Sequence, residues 1–127
     1  MRIDILTVLP ELVESPLSHS IIKRARENKV VEIFVHDIRD YSQNKHKKVD
    51  DYAYGGEAGM VMTIEPVALA IEKLTAERHY DEIIYTTPDG KRFDQKAANA
   101  LSLKSNLMLL CGHYKGVDQR VRDHLVT

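Results

Sequence analysis

The sequence predicts one α/β domain, built on a mostly parallel sheet that is flanked by helices. Three observations support this prediction. Runs of apolar residues alternate with amphipathic segments along the 127 residues, and this alternation is typical of parallel sheets covered on both faces. The run LMLLC lacks polar alternation, as expected for a strand buried on both faces. No internal repeat, low-complexity tract or linker divides the chain, whose length fits a single domain.

Four runs rich in apolar and β-branched residues predict the strands of this sheet. In chain order they cover residues 2–9, 30–38, 82–86 and 107–111. The first run ends before Pro10, which we interpret as the end of the strand.

Four other segments carry apolar residues on one face, which predicts helices packed against the sheet. They cover residues 18–28, a segment from Ile64, a segment from Asp94 to about Leu103, and a segment from Val117. Ser18 or Ser20 is the predicted cap of the first helix, and Asp94 that of the third. The predicted inward-facing residues are Ile21, Ile22, Ala25, Val67, Ala70, Ile71, Leu74, Ala97, Ala98, Leu101, Val121 and Leu125.

The composition is that of a soluble globular protein, with 43% hydrophobic and 29% charged residues. No apolar run approaches the roughly 18 residues of a membrane span, and the N-terminus lacks a signal-peptide cleavage site. We therefore expect no membrane partner. The single cysteine, Cys111, excludes an intramolecular disulfide framework and favours a cytoplasmic location. With a net charge of −1, a nucleic-acid partner would need a local basic patch.

Residues 39–63 show no sustained periodicity and predict one long loop. Within it, KHKKVDDYAYGGEAGMVM joins a basic run to a glycine-rich stretch. Lysines suit a phosphate backbone, and glycines allow a ligand to approach the main chain closely. The alternative is a solvated, flexible connection. The residues Tyr54, Met60, Val61 and Met62 argue against that alternative, because a disordered linker has no need of them.

Two further loops follow predicted strands at their carboxyl ends, where ligands bind in open parallel sheets. They are residues 85–90, containing Pro88-Asp89-Gly90, and residues 112–116, GHYKG. The GHYKG turn matches neither a Walker A loop nor a dinucleotide fingerprint, so the residues alone predict only a small-ligand site. The alternative is a pair of turns whose glycines serve the backbone alone. Cys111 fits a small buried side chain better than a nucleophile.

Ordered motifs along the whole chain narrow this interpretation. They are MRIDILTVLPE, HDIRD, KHKKVDD, YGGEAGMVM, Pro88-Asp89-Gly90 and LLCGHYKGVDQRV. In this set and order the chain resembles the bacterial tRNA (guanine-N1)-methyltransferases of the knotted SPOUT class. The resemblance implies an α/β knot fold and transfer of a methyl group from S-adenosylmethionine to N1 of the guanosine 3′ of the anticodon. It also implies tRNA as partner and a cytoplasmic homodimer.

The resemblance also implies the residues of two binding sites. The expected cofactor-binding residues are Tyr85, Thr86, Thr87, Pro88, Gly90, Gly112, Tyr114 and Gly116. The expected tRNA-binding residues are Lys45, His46, Lys47, Lys48, Tyr54, Gly55, Gly56, Gly59 and Met60. Glu57 stands where the family pattern has a third glycine, and Lys115 where it has an acidic residue. Roles of those two family residues are therefore not transferred.

The resemblance ends at Thr127, where family members continue. We therefore expect residues 1–127 to be the N-terminal SPOUT domain, with an incomplete knot. The family's proposed general base lies further downstream, so no catalytic residue and no metal ligand is assigned. Residues 1–127 alone are expected to bind the cofactor weakly and to be inactive, and the alternative function is a cofactor- or RNA-binding fragment. Without the resemblance, a flavodoxin-like signalling or nucleotide domain remains a third hypothesis.

Overall fold

The computed structural model describes residues 1–43, 50–52, 60–112 and 118–127. In these ranges the chain forms a four-stranded sheet, a separate two-stranded ribbon and flanking helices. The strands are β1 Arg2–Thr7, β2 Glu32–Asp37, β3 Asp50–Tyr52, β4 Met60–Met62, β5 Glu82–Thr86 and β6 Asn106–Cys111. The helices are α1 Pro10–Leu17, α2 Ser20–Glu27, α3 Ile64–Glu77, α4 Gln95–Ser102 and α5 Gln119–His124, with a short 3-10 turn at Ile38–Tyr41.

The four strands of the main sheet are parallel and lie in the order β2-β1-β6-β5. Ile5 of β1 faces Val35 on one side and Leu109 on the other. The predicted α/β class with a mostly parallel sheet is confirmed. On the outer edge of β5, the Thr127 amide donates a 2.7 Å hydrogen bond to the Ile83 carbonyl.

One face of the sheet is buried under α3 and α5. The apolar stripe predicted for α3 is buried, and Val121 of α5 is completely inaccessible. Against them lie Leu6 of β1 and the β6 residues Met108 and Leu110, all with 0% exposure. Burying each such side chain contributes about 1.5–3 kcal/mol relative to leaving it in water. This face therefore forms the hydrophobic core that holds the strand ends in place.

The same face contains a buried carboxylate. Asp4 of β1 has an inaccessible side chain, and it pairs with Arg2 and with His36. Tyr80, which precedes β5, adds a third hydrogen bond. A buried charge is tolerated when it is paired and hydrogen-bonded in this way. The cluster joins β1, β2 and the entry to β5.

The opposite face is only partly covered, by α1 and α2. It contains an open apolar groove of about 360 Å³. The groove is lined by Ile3, Ile5, Leu17, Ile21, Ile22, Ala25, Val31, Ile33 and Leu109. The prediction that Ile21 faces inward is wrong, since its side chain is 75% exposed at the rim of the groove. Ile22 and Ala25 are half-buried as expected, because they stand one and four positions further along the helix.

The structure adds a helix that the sequence analysis missed. The segment 10–17 forms α1, and β1 ends at Thr7, two residues earlier than predicted. Pro10 occupies the start of α1, where its missing N–H costs nothing, so it begins a helix as well as ending a strand. The predicted capping of the next helix by Ser18 or Ser20 is wrong, because His19 is the N-cap residue and no side chain caps the helix.

The prediction of one long loop over residues 39–63 is also wrong. Its start forms the 3-10 turn, and β3 pairs with β4 in antiparallel register. Each strand of this hairpin has three residues, too few to show a period-two pattern in the sequence.

The remaining helix predictions agree with the structure. Asp94 caps α4, with its carboxylate accepting a 2.8 Å hydrogen bond from the Ala97 amide. Ala97, Ala98 and Leu101 are half-buried. Asp118 caps α5, while the predicted start at Val117 lies outside the described residues.

Candidate functional site

The carboxyl ends of β5 and β6 lie side by side. Thr86 and Cys111 are register partners, so the loops that follow them leave the sheet at the same edge. The Thr86 hydroxyl donates a 3.3 Å hydrogen bond to the Leu110 carbonyl and ties the two strand ends together. The structure thus brings together the described parts of the two loops that the sequence analysis singled out.

The loop after β5 begins with a tight turn. The Gly90 amide donates a 3.2 Å hydrogen bond to the Thr87 carbonyl, and Pro88 stands at the second position, where its fixed φ suits such a turn. A Cβ at Gly90 would lie 3.0 Å from the Thr87 methyl carbon and 3.3 Å from the Thr87 carbonyl oxygen. The Thr87 hydroxyl also donates a hydrogen bond to the Asp89 carboxylate, so side chains stabilise the turn as well as the backbone.

The loop after β6 begins against the Tyr85 ring. A Cβ at Gly112 would lie 2.9 Å from Tyr85 Cε2 and 3.1 Å from the Tyr85 hydroxyl oxygen. Real Cβ atoms do not approach so closely, so any other residue at position 112 would require the Tyr85 ring to shift. Tyr85 is half-buried and packs against the core. Its ring and the Gly112 backbone therefore form one continuous surface at the sheet edge.

Helix α5 contributes a cation to the same region. Arg122 Nη1 lies 3.1 Å from Asp89 Oδ2, and the guanidinium carbon lies 5.8 Å from the Tyr85 ring centroid. The pKa of Asp89 is lowered, mainly by the hydrogen bond from Thr87 and then by that from Arg122. Sequence reasoning missed this pairing, because 33 residues separate the partners and Arg122 lies outside the motifs.

Cys111 is unsuited to act as a nucleophile. It is half-buried, and burial raises the pKa of its thiol. A protonated, shielded thiol is a poor nucleophile at neutral pH, which agrees with its interpretation as a small packing residue. Among the described residues, no group of three or more His, Cys, Asp or Glu side chains is arranged to hold a metal ion.

Several predicted site residues lie outside the described ranges. Met60 is described: it is the first residue of β4 and pairs with Tyr52, the last residue of β3. The other predicted tRNA-binding residues, and two predicted cofactor-binding residues, are not described; they are Lys45, His46, Lys47, Lys48, Tyr54, Gly55, Gly56, Gly59, Tyr114 and Gly116. Their roles stay predictions.

Comparison with known proteins decides the family. The family model described as tRNA (Guanine-1)-methyltransferase TrmD matches residues 1–127. The chain belongs to this family. The resemblance given by the sequence motifs is thereby confirmed. In the described part of the chain, no helix is long and apolar enough to cross a membrane.

Individual TrmD relatives are similar over the whole of this chain. The tRNA (guanine-N(1)-)-methyltransferase of Azobacteroides pseudotrichonymphae is 58% identical over 127 residues, which are 100% of this chain and 57% of the relative. That of Porphyromonas gingivalis strain W83 is 60% identical, over 100% of this chain and 56% of the relative. The chain therefore spans a little over half the length of these curated relatives.

A solved structure supports the fold. The crystal structure of the tRNA (m1G37) methyltransferase from Aquifex aeolicus superposes with a TM-score of 0.89 at 33% identity. The match covers 97% of this chain and 56% of the other. This match confirms the predicted fold class, the α/β fold of the SPOUT methyltransferases, for this chain.

Proposed function

We propose that this chain forms the N-terminal methyltransferase domain of an enzyme that methylates N1 of the guanosine at position 37 of tRNA, with S-adenosylmethionine as donor. One observation carries the proposal: the TrmD family model matches every residue of the chain. The m1G37 activity named for the A. aeolicus protein supplies the nucleotide position. A chain that spans 56% of that protein supplies part of such an enzyme.

The proposed donor site is the edge where β5 and β6 end. S-adenosylmethionine supplies an activated methyl group on a sulfonium. The proposed binding residues are Tyr85, Thr86, Thr87, Pro88, Gly90, Gly112, Tyr114 and Gly116. The backbone amides and carbonyls of these loops are proposed to bind the amino-acid and adenine groups of the donor. The Tyr85 ring, fixed by core packing, supplies an apolar wall beside them.

The chain's contribution to the reaction is alignment. Methyl transfer to a ring nitrogen is an in-line displacement in which the N1–carbon bond forms as the carbon–sulfur bond breaks, and N1 gives its proton to a base. Holding the reacting groups in line supplies much of the rate enhancement in such a step. The strand ends are suited to that task, because the hydrogen bond from Thr86 to Leu110 joins β5 to β6 near their carboxyl ends.

The proposed tRNA-binding residues belong to two segments of the sequence, one before β3 and one after it. Lys45, Lys47 and Lys48 neutralise phosphates, with His46 beside them, so binding is expected to weaken as salt rises. The segment from Tyr54 through Gly55, Gly56 and Gly59 to Met60 is proposed to meet the target base. A base inside a stacked loop must leave its stack before N1 is reachable. The described support is the β3–β4 pairing, in which Tyr52 and Met60 are register partners.

The proposed assembly is a cytoplasmic homodimer. Its support is the apolar groove on the less covered face of the sheet, where Ile21 is 75% exposed. Soluble monomers rarely leave large contiguous apolar patches in water. The single cysteine is in keeping with a reducing compartment. Sedimentation equilibrium of the complete gene product tests the dimer, and a monomer at micromolar concentration would contradict it.

Methylation of defined transcripts tests the function. The complete gene product is incubated with S-adenosylmethionine and a tRNA transcript carrying guanosine at position 37, and the digest is analysed by mass spectrometry. We expect 1-methylguanosine from this transcript and none from a matched transcript with adenosine at that position. Residues 1–127 alone, assayed beside it, are expected to give no product. Failure of the complete gene product to modify guanosine 37 would refute the proposal.

A further inference from the structure

The turn after β5 and helix α5 are joined by a charged contact that none of the proposed binding residues makes. Arg122 Nη1 of α5 lies 3.1 Å from Asp89 Oδ2 of the turn, 33 residues apart in sequence. Asp89 is held from its other side by the Thr87 hydroxyl. The contact therefore fixes the first turn relative to the helix that follows the second loop.

The same contact balances a charge beside the proposed donor site. The Arg122 guanidinium lies over the Tyr85 ring, 5.8 Å from its centroid, and the Gly112 backbone meets that ring on its Cε2 edge. Among the described residues, Asp89 supplies the carboxylate within ion-pair distance of Arg122. Without Asp89, Arg122 would lose this carboxylate partner beside Tyr85.

That balance matters because the proposed donor is a cation at sulfur. Like charges at close range repel, and the repulsion grows where protein displaces water. A guanidinium paired with a carboxylate presents little net charge to a neighbouring sulfonium, whereas an unpaired one opposes its binding. Product, with a neutral thioether in place of the sulfonium, does not experience this repulsion.

We propose that the Asp89–Arg122 pair positions the two walls of the donor site. The pair also balances the charge of Arg122, so that the site can bind a positively charged sulfonium ligand. Both residues are positioning residues, acting through the turn and through Tyr85. The inference rests on the proposed function and deepens it, since it states how the donor's charge is accommodated.

The pair itself adds little to folding stability, so changes in ligand affinity can be measured without loss of the fold. Asp89 has a 66% exposed side chain and Arg122 a 34% exposed one, and ion pairs of this exposure contribute little to the free energy of unfolding. The variants are therefore expected to fold with unchanged thermal midpoints, and the effect is expected in ligand affinity.

The experiment compares two ligands on the complete gene product by calorimetry: S-adenosylmethionine and S-adenosylhomocysteine. Asp89→Asn is expected to weaken binding of S-adenosylmethionine more than that of S-adenosylhomocysteine, by about 2- to 5-fold in the ratio of the two affinities. Arg122→Gln is expected to weaken both ligands without lowering that ratio. The double variant Asp89→Asn/Arg122→Gln is expected to restore the ratio while both affinities stay reduced.

The matched control is the ion pair Lys23–Glu27 on α2, with exposed side chains and a 3.9 Å separation. Glu27→Gln makes the same charge change as Asp89→Asn and is expected to leave both affinities unchanged. Equal affinities of Asp89→Asn and wild type would overturn the inference, and an equal loss for both ligands would overturn the charge balance that it states; both results would leave the proposed function intact. A wild-type protein that binds neither ligand would overturn the donor assignment and the inference together.

Discussion

The Tyr80 hydroxyl donates a 2.7 Å hydrogen bond to Asp4 Oδ2, across 76 residues of sequence. Arg2 donates two further bonds to the same carboxylate, at 2.9 and 3.1 Å, and His36 Nε2 lies 2.7 Å from Asp4 Oδ1. Tyr80 in turn accepts a 3.0 Å bond from Arg78. One inaccessible carboxylate thus links the first strand, the second strand and the entry to β5, the strand that leads to the proposed donor site.

Removing this carboxylate is expected to destabilise the fold strongly. Asp4→Ala leaves Arg2 and the Tyr80 hydroxyl without their buried partner, and breaking a buried ion pair costs about 3–5 kcal/mol. Tyr80→Phe is the milder control, because it removes one hydrogen bond and is expected to cost about 1 kcal/mol. Urea unfolding of both variants measures the difference. Equal, small losses would contradict the view that Asp4 is the centre of the cluster.

Acid is expected to weaken the fold through the same residue. Burial alone would raise the pKa of Asp4, but the hydrogen bonds from His36, Arg2 and Tyr80 outweigh it and hold that pKa well below its usual range. The unfolded chain has an aspartate pKa of about 3.9. Because the folded value is the lower one, Asp4 adds stability above about pH 5 and this contribution is lost as pH falls through about 4 and below.

Urea unfolding at stepped pH values measures that loss. The wild-type free energy of unfolding is expected to fall steadily between about pH 5 and pH 3, and Asp4→Asn is expected to show a flatter profile. Identical profiles for the two proteins would mean that other carboxylates carry the acid sensitivity.

A side chain at position 112 is expected to displace the Tyr85 ring. The new Cβ of Gly112→Ala would stand 2.9 Å from Tyr85 Cε2, and the ring packs against the core. Overpacking of this kind costs about 1–3 kcal/mol. In a Tyr85→Ala background the same substitution is expected to cost almost nothing. A thermodynamic cycle from unfolding measurements gives the coupling, and a coupling near zero would exclude the close contact.

A strained residue after α2 offers a stabilising substitution. Lys29 has φ 57°, and the hydrogen bonds from Lys29 N to Arg26 O and from Val30 N to Ala25 O close a Schellman motif around it. Glycine is favoured at that position, since an L side chain there costs roughly 1–2 kcal/mol. Lys29→Gly is expected to raise the free energy of unfolding by up to about 1 kcal/mol, because the greater conformational entropy of glycine in the unfolded chain offsets part of the strain that is relieved. Lys29→Ala, which keeps the Cβ, is expected to give no gain in thermal midpoint.

Parts of this fold follow directly from the sequence. The α3 stripe and the continuous apolar run of β6 are long enough for their periodicity to be unambiguous. The placement of two loops at one sheet edge follows from the rule that parallel strands end together. In contrast, α1 is hidden by its two prolines, because Pro10 predicts the end of a strand and Pro16 is unfavourable inside a helix.

The missed contacts share one physical cause. Asp4 with Tyr80, and Asp89 with Arg122, are pairs whose partners come together only after the sheet has formed. Neither pair has a local spacing that marks it in the sequence. The loop residues implied by the resemblance are a different case, because their roles rest on family motifs and await direct measurement.

The most direct measurement locates the binding site of S-adenosylhomocysteine, the product of the donor, on the complete gene product. Amide NMR spectra recorded during titration with S-adenosylhomocysteine report which backbone positions respond. We expect the largest shifts at residues 85–90 and 112–116 together, with the exposed Lys23–Glu27 region of α2 unchanged. Shifts confined to only one of the two loops, or centred on another part of the sheet, would contradict a shared donor site at the ends of β5 and β6.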